Sequence, residues 1–278
     1  MLRTSNPNLL PARWRRGFAF VLAIVALLVA LAQRIPAAGD GESTSLTVSA
    51  AISLKDALDE LGPLYEKQHP GIGVTFNYGG SGTLQHQVEQ GAPVDVFFSA
   101  AEKQMNQLES EGLLLAGTRS NVLQNSLVLI APAASSSVRS FQDLESPTVR
   151  TIALGKPSTV PAGMYATQTL EHLGLLTNLR KKLVYAKDVR AVLVYVETGN
   201  ADAGFVYRTD AMTSTKVRVV TIAPASSHDP IVYPAAVLKA SQHPQAATAL
   251  LRYFESPGAQ RVFLHFGFLP AENSAGKS

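Results

Sequence analysis

The chain contains no cysteine. That absence excludes thiol catalysis, cysteine-ligated zinc and lipid attachment through an N-terminal Cys, while saying little about redox compartment. Charge is sparse too. Asp, Glu, Lys and Arg make up 16% of the 278 residues against 46% hydrophobic ones, the balance of a foldable globular chain rather than a disordered one. The one tryptophan, Trp14, falls in the N-terminal segment. The length suits one large domain or two modest lobes with their own cores.

Arg13, Arg15 and Arg16 precede an uncharged run from Gly17 to Ala32 that closes on Ala30-Leu31-Ala32. A basic stretch, an apolar stretch and small residues at the cleavage positions mark a secretory signal peptide. Residues 1–32 are therefore expected to direct export to the periplasm and to be removed. The run falls just short of the ~18–20 residues of a membrane span, and Arg15-Arg16-Gly17-Phe18 is only a loose twin-arginine pattern. Removal takes away four arginines and no acid, turning the formal charge from +3 to −1. No basic surplus then points to nucleic acid or an anionic lipid surface.

Residues 33–45 read as an exposed spacer. From Leu46 onward, apolar strand patterns alternate with helical ones, which argues an α/β fold with largely parallel sheets. Strands are expected near 46–50, 73–78, 94–98, 125–132, 151–154, 203–207 and 231–238. Helices are expected near 53–68, 83–90, 100–111, 161–173, 189–198 and 243–254. Leu54, Ala57, Leu58, Leu61 and Leu64 form the inner face of the first helix. Ser140 is placed as the N-cap of a short helix. The stretch from Glu89 to Phe98 leaves a helix at Gly91 and enters a strand through Asp95, and the stretch from Glu197 to Phe205 repeats this through Gly199 and Asp202. The echo fits two lobes of like construction, and equally fits ordinary helix-to-strand connections.

Two corners stand out. Ala50-Ala51-Ile52-Ser53 ends the first strand, Gly79-Gly80-Ser81-Gly82-Thr83 ends the second, and both open helices. A strand that turns at once into a helix leaves unpaired backbone N–H groups and a fractional positive potential at one spot, which suits an anion. Small side chains let a ligand approach the backbone closely, although Ser53 and Ser81 could equally be plain N-caps. In the second half, Val160-Pro161-Ala162-Gly163 and Asp188-Val189-Arg190 open two further helices, and Tyr207 ends a strand with a phenolic O–H.

These pieces, with Gly91-Ala92-Pro93-Val94-Asp95 and Val206-Tyr207-Arg208-Thr209-Asp210-Ala211, resemble the periplasmic molybdate-binding components of ABC transporters, in the type II solute-binding class. The resemblance runs from about Leu46 to Phe268. It implies a two-lobed α/β fold, each lobe a mixed, mostly parallel sheet flanked by helices, with the ligand in the interlobe cleft. Lobe 1 would comprise 46–127 and 233–270, lobe 2 would comprise 128–232, and a polar tail would occupy 271–278. Strands 126–131 and 233–238 would act as the hinge. It also implies an oxyanion held by Ser53, Ser81, the main-chain N–H groups of Ala162 and Val189, and Tyr207. Molybdate or tungstate would be the ligand, with no cofactor and no metal cation. The partners would be an inner-membrane permease with its ATPase, and the protein would act as a monomer. Relatives often carry a run of serines where this chain has Gly79-Gly80-Ser81-Gly82, so neighbouring hydroxyls are lost here.

Neutral donors suffice for a dianion. Hydrogen bonds to a charged group contribute ~1.5–3 kcal/mol each and helix N-termini add ~0.3–1. Six or seven such donors outweigh association costs of ~4–15 kcal/mol, so submicromolar binding is expected. A protonated oxyanion would need an acceptor that the five positions do not supply, and sulfate would be discriminated by size. The alternatives are a sulfate-type oxyanion carrier or, from a different class, a serine hydrolase using Ser81. The hydrolase reading is weakened because a nucleophile elbow needs Gly two residues after the Ser, where Thr83 stands. A metal on His86 and Glu89 rests on a spacing common by chance, and Asp95, Asp202 and Asp210 read as capping or loop acids.

Overall fold

Strand β1 (Thr44–Ala51) buries Leu46, Val48 and Ala50 completely, because parallel strands flank it on both sides. The computed structural model describes residues 43–271. The expected signal segment 1–32, most of the spacer and the tail beyond Ala271 lie outside them. Thr44 and Ser45, expected in the spacer, already pair with Ile72 and Gly73 as part of β1.

A 3-10 turn (Ile52–Leu54) leads into α1 (Lys55–Gln68), followed by β2 (Ile72–Gly79), α2 (Ser81–Glu89), β3 (Val96–Phe98), α3 (Glu102–Ser110) and β4 (Ser120–Gln124). The chain then builds β5 (Leu127–Pro132), β6 (Ile152–Gly155), α4 (Pro161–His172), α5 (Leu176–Leu179), β7 (Leu183–Ala186), α6 (Val189–Glu197), β8 (Ala203–Tyr207), α7 (Arg208–Met212) and β9 (Val217–Ile222). It ends with β10 (Val232–Val237), α8 (Pro244–Glu255), α9 (Pro257–His265) and β11 (Leu269–Pro270).

The strands form two sheets, ordered β11-β4-β10-β3-β1-β2 and β7-β6-β8-β5-β9. Each has a parallel flank of three strands, β2-β1-β3 and β7-β6-β8, and an antiparallel remainder. The antiparallel share exceeds what the alternating pattern suggested, because β5 and β10 are exchanged strands. Each enters its sheet straight from the other and runs against the parallel set. The two crossings lie side by side: the amide of Asn125 donates to Ile231 O at 3.1 Å and that of Ala223 to Leu127 O at 2.9 Å.

The echo at Asp95 and Asp202 has a matching structural counterpart in each sheet. The Asp95 carboxylate accepts the amide of Thr47 at 2.8 Å, and that of Asp202 accepts the amides of Arg150 and Thr151 at 2.7 and 2.9 Å. Each acid thus binds backbone of the neighbouring parallel strand, Asp95 in the middle of β1 and Asp202 just ahead of β6. Three local expectations are corrected. Leu64 is 40% exposed, and the inner face of α1 continues at Tyr65 instead. Ser140 caps nothing: the short 3-10 turn Gln142–Glu145 begins after Phe141, and the Asp143 carboxylate takes up the amides of Arg139 and Ser140. Asp210 is no loop acid but lies in the first turn of α7, where it takes the backbone amide of the N-cap Tyr207 and pairs with Arg190, as described below.

Candidate functional site

Five parallel strands, β1, β2, β6, β7 and β8, lead at their carboxyl ends to Ser53, Ser81, Ala162, Val189 and Tyr207 respectively. This is where open α/β sheets place ligands. All five residues are buried and line one tight cavity of about 10 Å³ between the two sheets' loop ends. Among the described residues, no Asp, Glu, Lys, Arg or His lines it.

Neither serine is a helix cap. Gly80 occupies the N-cap of α2 and Ser81 its first helical position, while Ser53 sits inside the 3-10 turn with no capping hydrogen bond. Both hydroxyls bond to other parts of the fold. Ser81 Oγ accepts the amide of Ala100, just past β3, at 3.0 Å. Ser53 Oγ lies 3.0 Å from the hydroxyl of Tyr233 on β10. Tyr207 donates to Ala100 O at 3.5 Å. Burial holds the phenols of Tyr207 and Tyr233 well above the ordinary tyrosine range, so both stay neutral O–H groups.

The two amides are orphans of helix geometry. Ala162 follows Pro161 in the first turn of α4, and Val189 opens α6, so no earlier carbonyl of the same helix can reach either N–H. Among the described residues neither amide has a hydrogen-bond partner in the chain. Asp188 caps α6 from outside the cavity, its carboxylate accepting the amide of Ala191 at 2.8 Å. The first turn of α4 sits directly on the end of β6. A Cβ at Gly163 would come within 1.8 Å of Gly155 O, so only glycine permits that seat.

Gly80 and Gly82 serve a similar purpose across the cavity. The amide of Gly82 donates to Thr159 O at 2.9 Å. A Cβ on Gly82 would meet Thr159 Cα at 2.7 Å, and one on Gly80 would meet Thr159 O at 3.0 Å and Lys187 O at 3.3 Å. The glycine-rich corner therefore lets the two halves of the site touch backbone to backbone.

Charge lies just behind the cavity wall. Arg190, second residue of α6, bridges to Asp56 on α1 and to Asp210 on α7. Asp210 is wholly buried, with Oδ2 unpartnered, and burial pushes its carboxyl up to about 6 although Arg190 opposes the shift. A wider cleft lined by Glu102, Lys103, Tyr165 and Asp229 also lies between the lobes, where two carboxylates against one lysine oppose an anion. His86 bonds Glu89 on an exposed face of α2 at 2.8 Å and is not among the residues that line the cavity.

Sequence reasoning missed Ala100, Tyr233, Asn125 and Thr159. Ala100 could have been found as the residue beyond a third parallel strand. The other three are brought in only by the strand exchange and by the approach of the lobes.

The family described as bacterial extracellular solute-binding proteins matches residues 46–269. A Bacillus subtilis protein assigned as an ABC transporter substrate-binding lipoprotein is 44% identical over 252 residues, 90% of this chain and 96% of its own length. A molybdate-binding protein of Haemophilus influenzae is 39% identical over 231 residues, 81% of this chain and 90% of its own. Among solved structures, the periplasmic molybdate-binding protein of Azotobacter vinelandii superimposes with a TM-score of 0.74 at 28% identity, covering 82% of this chain and all of that one.

Proposed function

Since this chain belongs to the family of bacterial extracellular solute-binding proteins, we propose that it captures molybdate and presents it to an ABC-type permease. One observation carries the choice of ligand. Two hydroxyls, a phenol and two helix-start amides from both sheets face one cavity that no ionised side chain among the described residues lines. Such a cavity offers a tetrahedral dianion donors on all sides, and the first turns of α2, α4 and α6 add their partial positive charge. The relatives named for molybdate support the same reading.

Tungstate, of like charge and shape, is a second ligand in this proposal. The anion binds through Ser53, Ser81, Ala162, Val189 and Tyr207 with no cofactor and no metal cation. The protein works as a monomer in the periplasm, exported by residues 1–32, and its permease is driven by an ATPase. Catalysis has no part in this reading, because Ser81 pairs with a backbone amide rather than with a base.

Calorimetric titration with molybdate, tungstate, sulfate and phosphate tests the proposal. Submicromolar binding of molybdate and tungstate, with sulfate at least a hundredfold weaker, is expected. Equal binding of sulfate would replace molybdate with a sulfate-type ligand. Silence toward all four would overturn the oxyanion reading.

A further inference from the structure

Two of the donors proposed for the oxyanion are serine hydroxyls, and a hydroxyl accepts as readily as it donates. Each serine has one proton. Should that proton be taken by a neighbour behind the cavity, the oxygen would show the anion only lone pairs and repel it.

Ser81 is safe from this. Its Oγ accepts the Ala100 amide, a group that can only donate, so its proton remains available. Ser53 is not safe by itself, since its neighbour is another hydroxyl, Tyr233, 3.0 Å away, and that bond could run either way. A third residue settles the direction. Asn125 Oδ1 accepts the amide of Ser126 at 2.8 Å, which turns Nδ2 toward Thr209 Oγ1 at 2.9 Å and the Tyr233 hydroxyl at 3.2 Å. An amide nitrogen only donates. Tyr233 therefore accepts from Asn125, and its own proton is left for Ser53. Its ring packs against Tyr207 and Phe268, and the Tyr207 hydroxyl, itself a protonated donor, is the other polar group beside its own.

We propose that Asn125 is a positioning residue that sets the direction of the Tyr233–Ser53 hydrogen bond and so keeps the Ser53 proton free for the bound oxyanion. The inference rests on the oxyanion reading of the cavity. Asn125 lies at the first chain crossing and Tyr233 just past the second, so the relay runs through the segment where the two sheets exchange strands.

The test is a double-mutant cycle read by calorimetry with molybdate, on the full chain expressed with its N-terminal segment. Asn125→Asp keeps the shape but replaces the donor with an acceptor. Tyr233 then donates to the introduced carboxylate, Ser53 donates to Tyr233, and molybdate affinity falls about tenfold or more. Tyr233→Phe removes the competing hydroxyl, so Ser53 stays a donor and affinity changes less than about threefold. The decisive species is the double variant. Adding Tyr233→Phe to Asn125→Asp restores most of the lost affinity, although the introduced negative charge remains.

Additive losses, or a double variant as weak as Asn125→Asp, would show that charge or structure alone is at work and overturn the relay. Unchanged affinity in Asn125→Asp overturns it as well. Should Asn125→Asp not fold, Asn125→Ala gives the same comparison: the direction of the Tyr233–Ser53 bond is then unset, affinity falls, and Tyr233→Phe recovers it, whereas no recovery counts against the relay. Absence of molybdate binding by the unsubstituted chain would instead overturn the oxyanion reading itself.

Discussion

The amide of Gly82 donates to the carbonyl of Thr159 at 2.9 Å, joining the glycine corner after β2 to the loop that precedes α4. The missing side chains let backbone from the two halves of the site meet.

Gly82→Ala is expected to lower molybdate affinity by one to two orders of magnitude. Its Cβ would stand 2.7 Å from Thr159 Cα, and overpacking of this kind costs ~1–3 kcal/mol. The cost falls on the state in which the two sides touch. Calorimetry should therefore register the loss while the melting temperature of the ligand-free protein moves little; a large loss of melting temperature with intact affinity would place the contact in folding rather than in binding.

Ser81→Ala should weaken binding about tenfold or more, the contribution of a hydrogen bond to a charged group being ~1.5–3 kcal/mol. The same change leaves the buried amide of Ala100 without its acceptor, which costs ~1–3 kcal/mol of stability. Urea unfolding of the ligand-free variant checks the second effect independently of the first. Affinity equal to that of the unsubstituted protein would remove Ser81 from the site.

Tyr207 holds its proton far into the alkaline range because ionisation would place a phenolate in a buried site. Molybdate affinity should accordingly show no loss attributable to Tyr207 between pH 7 and pH 9. Tyr207→Phe should lower affinity about tenfold across that whole range. A loss confined to the alkaline end would mean that the phenol ionises and is more exposed to water than described.

Asp210 carries a pH dependence whose sign is set by its burial. Its carboxyl titrates at about 6 in the fold against 3.8 ordinarily, so between these values the native state binds the proton more tightly than the unfolded chain. Stability contributed by this group therefore rises as pH falls from about 6 to about 4, and is lost as pH is raised back through that window. Asp210→Asn abolishes the titration. The melting temperature of the unsubstituted protein, minus that of the variant, should increase on acidification from pH 7 to pH 4; a difference that stays constant would show that Arg190 holds Asp210 ionised throughout.

Much of the site is legible in the sequence alone. Ser53, Ser81, Ala162, Val189 and Tyr207 each stand next to a strand end or a helix start, and those are local features written in runs of small residues, in Pro161 and in the apolar stretch ending at Tyr207. Their meeting in one cavity was an inference from resemblance, and the structure places all five on its wall. The roles given to some side chains were less legible. Ser53 and Ser81 read as possible caps, whereas their oxygens are engaged by Tyr233 and Ala100, residues 180 and 19 positions away.

The sequence by itself determined what depends on neighbours along the chain: the alternation of strands and helices, the orphan amides at helix starts, the uncharged character of the corners and the paired acids Asp95 and Asp202. Only the tertiary structure decided what depends on separation in sequence. The exchange of β5 and β10 reverses part of each sheet and carries Tyr233 behind Ser53. The touching of Gly82 and Thr159 gives the glycines their purpose, and the burial of Asp210 beside Arg190 turns a seemingly ordinary loop acid into a titrating group. Hydrogen-bond direction, steric contact and desolvation are all properties of pairs brought together in space, and no local pattern encodes which distant residue will be the partner.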